Sequence, residues 1–161
     1  MPFTCEDHFT LSQTLDAVAV PMFAAERDSK TDPFYFVCVN GAHSEKTGLR
    51  TEFIRNKRPS DFLSPQDAAK VEQHYIDCAE AGPVTNYEER LVLNGCVSNW
   101  NTTLQLVALP SGRQRIIGTA IEIERPPMLE TLEDAAYYSA LAQMQVGKLQ
   151  QFFRVVENRQ D

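Results

Sequence analysis

The amino-acid sequence predicts an α+β domain, with helices covering one face of a sheet and a helical extension after it. Three observations carry that expectation. Five segments have strand-like composition or alternation. Helical segments, short and long, lie together between the second and third of these. After Pro126-Pro127 the pattern turns helical and meets no further proline.

Phe9 to Val18 has helical spacing, with Leu11, Leu15 and Val18 on one side. Ala19 to Ala25 reads as a short strand. The polar stretch from Glu26 to Pro33 reads as a hairpin connection. Phe34-Tyr35-Phe36-Val37-Cys38-Val39 is continuously apolar, as in a strand buried on both faces. Asn40 then caps a short helix through Ala42–Thr47, and Gly48 ends it.

Residues 50 to 65 mix apolar pairs with charges and prolines, which suits short helical turns. Ser64-Pro65-Gln66-Asp67 opens a longer helix: a serine cap, proline in the first position and an acid in the first turn. Ala68, Val71, Tyr75 and Cys78 recur at helical spacing until Gly82-Pro83. Strands follow at Tyr87–Leu93, at Trp100–Leu109 (Thr102, Leu104, Leu106 and Ala108 on one side) and at Ile116–Ile123. Met128 to Asp161 reads as helix. The expected organisation is thus a helical cap over 1–18, a sheet domain over 19–125 and a helical extension over 126–161.

A chain of 161 residues can bury a single core. It has no apolar run near the roughly 20 residues that span a bilayer, and its start has no secretory pattern. A cytoplasmic protein with no membrane partner is the expectation. The net charge of −7 argues against nucleic acid as a partner, and the basic stretch Arg50 to Arg58 reads as a solvated loop. Cys5, Cys38, Cys78 and Cys96 are too scattered for a zinc site or a dense disulfide framework, so no metal is expected.

Val39-Asn40-Gly41-Ala42 with Thr47-Gly48, then Phe62-Leu63-Ser64-Pro65-Gln66-Asp67, then Trp100, Pro110, Gly112 and Gly118 follow in a fixed order. In this order they resemble the PAS family over roughly residues 9 to 125. The resemblance implies a five-stranded antiparallel sheet whose helix-covered face holds a small ligand or is filled by side chains. One departure is Glu122-Ile123-Glu124, where the family often ends its last strand in Asp-Ile-Thr. The hydroxyl that helps couple sheet to following helix is lost.

The candidate pocket combines Phe36, Val71, His74, Tyr75, Cys78 and Leu104. The plain alternative is that these residues only form the core. No cofactor is expected. Ser60 stands where flavin-sensing relatives carry the reactive cysteine. His74 is out of register with the haem ligand, a position Glu72 takes, and reads as a helix histidine at the core edge. His43 reads as an exposed residue of the short helix. Glu88-Glu89 reads as a solvated edge plus one pocket-rim group, and no buried carboxylate is placed on the inward strand face. Without a paired nucleophile and base, a phosphate loop or a phosphoacceptor histidine in the last helix, the chain reads as no enzyme.

These readings predict a sensory or regulatory module in signal transduction. It would act through an unidentified small ligand, through protein contacts, or both. The alternatives are a ligand-free dimerisation or scaffold module and, second, a small enzyme on a cone-like α+β fold. The expected partner is a second copy, forming a homodimer, or another signalling protein. Leu129, Leu132, Ala136 and Ala140 form one apolar stripe of the last helix. Tyr138, Leu141, Leu149, Phe152 and Val156 form another, the expected partner surface, with a bend near Gly147.

Overall fold

The structure, a computed structural model, describes residues 2–82, 84–93 and 95–124 and scattered residues between 135 and 150. In chain order it contains α1 (His8–Asp16), β1 (Met22–Arg27), β2 (Tyr35–Val39), α2 (Gly41–Thr47), α3 (Thr51–Ile54), α4 (Pro65–Ala81), β3 (Val84–Leu93), β4 (Cys96–Ala108) and β5 (Gln114–Ile123). The strands form one antiparallel sheet in the order β2-β1-β5-β4-β3. The α+β class and the five-stranded antiparallel sheet expected from the sequence are both present.

Strand alternation sorts the two sheet faces. Phe23, Ala25, Phe36, Leu104 and Ile116 join Ile54 of α3 and Val71, Tyr75 and Cys78 of α4 in the larger core. The opposite face of β1, β2 and β5 packs Met22, Ala24, Cys38 and Ile117 against Leu11 and Leu15 of α1. Both α1 leucines are fully buried.

Local chemistry explains the helix ends. The Asp7 carboxylate caps α1 by accepting from the Thr10 N–H. Asn40 caps α2, and Gly48 closes it in the left-handed region at φ 74°. Ser64 caps α4, with Pro65 in its first position and Asp67 in its first turn.

Both ends of β1 differ from the sequence reading, each for a physical reason. β1 starts at Met22, not Ala19. The Asn40 amide reaches the carbonyls of Leu15, Val18 and Val20 at 2.8–3.0 Å, holding the preceding segment in a turn. β1 also continues through Glu26 and Arg27, which read as loop but are buried. Arg115 of β5 is paired with Glu26 and fully buried, its Nε donating to Oε1 at 2.7 Å. The same guanidinium donates to the carbonyls of Phe3 and Cys5 at 2.6 and 2.8 Å, anchoring the N-terminal segment to the sheet.

Residues 127–161 form a second unit, in which every described residue is helical, including Ala136, Ala140 and Gly147. The remaining residues of the two expected apolar stripes lie outside the described residues.

Candidate functional site

Between the inner face of the sheet and α2–α4 lies a small cavity of about 60 Å³. Its lining is mostly apolar: Phe23 and Phe36 from β1 and β2, Ile54 from α3, Val71 and Tyr75 from α4, Leu91 from β3 and Ala120 from β5. Aromatic contacts order this lining. Phe23 meets Phe36, His43 and Tyr75 with ring centroids 5.8–6.0 Å apart.

Against this apolar wall stand a few polar groups. Glu89 of β3 faces inward because it shares parity with Tyr87 and Leu91, and its register partner on β4 is Trp100. The Thr102 hydroxyl donates to Glu89 Oε1 at 3.2 Å. The other carboxylate oxygen, Oε2, and the Trp100 indole Nε1 are buried with no hydrogen-bond partner among the described residues. Burial pushes the Glu89 carboxyl up to about 7, the Thr102 hydrogen bond opposing the shift and Asp67 adding to it.

This site corrects the sequence reading twice. The inward strand face does carry a buried carboxylate, and it is Glu89. Its neighbours Glu88 and Arg90 disguise it as part of a solvated edge. His43 is buried, at 7% exposure, where an exposed helix residue was expected. Desolvation lowers its pKa to about 4, so the ring is neutral near pH 7. Its Nδ1 lies 3.1 Å from the Thr47 hydroxyl.

Of the six residues in the sequence-predicted pocket, Phe36, Val71 and Tyr75 line the cavity. Cys78 and Leu104 belong to the surrounding core, both fully buried, without lining it. His74 is not among the lining residues and stacks on Tyr87, with ring centroids 3.6 Å apart and planes within 11°. Burial lowers the His74 pKa against an opposing effect of Asp77, and it raises the Tyr75 hydroxyl.

No family model matches the chain, and no curated relative does. Solved structures do. The PAS domain of Bordetella pertussis BvgS superposes with a TM-score of 0.57 at 13% identity, over 89% of this chain and 99% of that one. A PAS domain from Colwellia psychrerythraea gives 0.55 at 12%, over 71% and 95%. The Rhodobacter sphaeroides LOV protein gives 0.55 at 16%, over 78% and 73%. This chain has the PAS-type fold.

On that PAS-type scaffold the residues present do not suit flavin or haem. A cavity of about 60 Å³ is far below the roughly 300–1,000 Å³ of sites for cofactor-sized groups. Ser60, aligned with the flavin-reactive cysteine, is exposed, and no cysteine is among the described lining residues. His43 is the one histidine among them, and it is engaged by Thr47. What the arrangement offers chemically is an apolar wall with one carboxyl, one indole N–H and one hydroxyl on its sheet side.

Proposed function

We propose that this chain is a sensory and regulatory module of the PAS type, without catalytic activity of its own. A small molecule in the inner cavity would change its contacts with protein partners. The observation that carries this reading is the apolar cavity with the buried Glu89 carboxyl on its sheet wall. Two neighbours described as PAS domains belong to BvgS and to a two-component sensor histidine kinase, which favours a place in signalling. No helix among the described residues is long and apolar enough to cross a membrane, consistent with our reading of a cytoplasmic protein. A second copy of the chain is the partner we favour, through the last helix.

Native mass spectrometry of the full chain sprayed with a millimolar panel of small neutral molecules tests the ligand reading. A small-molecule adduct of one per chain is expected, lost when Val71→Phe fills the cavity in a protein that keeps its circular dichroism. The small volume supports a second reading, a ligand-free contact module. An adduct-free spectrum for the wild type, with Val71→Phe at least as stable, would establish that reading in place of ours.

A further inference from the structure

We propose that Glu89 and Trp100 together form a recognition pair for a small uncharged molecule presenting a carbonyl beside an N–H, the edge of a primary amide. This rests on the reading of the cavity as a ligand site and names the ligand class. Glu89 and Trp100 are direct register partners on β3 and β4, on the same face. Side chains so placed stand about 5 Å apart at their Cβ atoms. Both line the cavity.

Their free valences are complementary in kind. Trp100 Nε1 can only donate, and it is buried without a partner among the described residues. Glu89 Oε2, equally buried and unpartnered, accepts when the carboxyl is ionised, while Oε1 is already held by Thr102. A buried donor and a buried acceptor on paired residues of one sheet face match a ligand carrying an acceptor and a donor side by side. A primary amide satisfies both: its carbonyl takes the indole N–H, and its N–H donates to the carboxylate. A group left unsatisfied in such a site disfavours molecules lacking one of the two functions.

Size and charge narrow the class. With benzene in a cavity of roughly 150 Å³ as the scale, about 60 Å³ admits only a few heavy atoms. Formamide and acetamide have that size. Even at the best efficiency known for tiny ligands, such molecules bind no tighter than tens of micromolar, on the order of 10⁻⁵ M. A carboxylate ligand would place a second anion beside Glu89, and no Lys or Arg is among the described lining residues; the Arg58 guanidinium is held by Glu72 of α4 at 2.8 Å. From α2 comes His43, neutral near pH 7 because burial lowers its pKa to about 4. From α4 come Tyr75, its hydroxyl raised by burial, and the acids Asp67 and Glu72. From β3 comes Tyr87, also raised by burial. Lys46 of α2 pairs with Glu122 of β5 at 3.8 Å.

Trp100 is the one tryptophan of the chain, so its indole N–H gives a single nuclear magnetic resonance signal at the site. Formamide and acetamide, titrated into the full chain at pH 8, are expected to shift that signal saturably. The affinity should be roughly tenfold weaker at pH 6, because the N–H donates to the ionised carboxyl. Glu89→Met should abolish the effect, and the pH comparison needs no variant if that protein fails to fold. An indole signal unmoved by either amide would overturn the proposal and leave water as the partner of the pair. Acetate binding in their place, tighter at pH 6, would overturn it in favour of a shared-proton acid site. If the amides fail while the adduct lost in Val71→Phe is still found, the ligand class is wrong and the sensory reading stands.

Discussion

The Phe23 ring occupies the space that a Cβ on its register partner Gly118 would need. The contact joins β1 to β5 at the cavity wall and explains why a glycine sits inside a strand, where it otherwise weakens the sheet. Gly118→Ala is therefore expected to destabilise the domain by about 1–3 kcal/mol, the usual cost of forcing extra volume into a packed core. Adding Phe23→Leu should recover part of that loss. Urea unfolding of the two single variants and the double variant measures the coupling; strict additivity would show that the ring is not what excludes the methyl group.

Asn40 unites three elements. Its Oδ1 accepts from the Met22 and His43 N–H groups at 2.9 and 3.0 Å, while its amide nitrogen donates to the carbonyls of Leu15, Val18 and Val20. Replacing it with alanine leaves several buried backbone groups unpaired at once. A loss of about 2–4 kcal/mol is expected from Asn40→Ala, against about 1 for an isolated helix cap. Chemical denaturation reads the difference directly.

Removing one partner of a buried ion pair strands the other charge. Arg115→Met leaves Glu26 buried, although His8 at 3.3 Å and Arg113 at 2.7 Å remain beside it. It also frees the carbonyls of Phe3 and Cys5. The expected result is a loss of about 3 kcal/mol, below the upper range for buried pairs because Arg113 persists. Hydrogen exchange should also quicken over residues 2–16 while β3 and β4 stay protected. Uniform exchange across the domain would contradict a local anchor.

Much of this was legible before the structure. Val71 and Tyr75 follow from helical spacing, and Phe36 from an apolar strand. The Asn40–Gly48 helix follows from its cap and stop residues. Glu89 was hidden for a definite reason. β3 is an edge strand, the outward residues flanking Glu89 are Glu88 and Arg90, and Glu88-Glu89-Arg90 shows no alternation by residue type. The parity of Glu89 with Tyr87 and Leu91 is the signal that could have found it. Arg115 and Glu26 were missed because each looks like a loop charge in isolation, and only their pairing across β1 and β5 permits burial. His74 was singled out for its residue type, but the neighbour that decides its role, Tyr87, is distant in sequence.

The buried carboxyl of Glu89 is the feature on which the reading of the cavity depends. Desolvation raises its pKa from 4.5 to about 7 in the folded chain. The folded state therefore keeps this proton over a range where the unfolded chain has released it. The contribution is absent below about pH 4.5; stability then falls as pH rises, levelling off above about 7, by about 3 kcal/mol at most. Titrating the Glu89 side-chain carboxyl by ¹³C nuclear magnetic resonance between pH 3 and 9, assigned with Glu89→Gln, tests this directly. A midpoint near 7 is the predicted result. A midpoint at the ordinary value of 4.5 would contradict it, showing the carboxyl to be solvated and the sheet wall of the cavity to lack its buried acid.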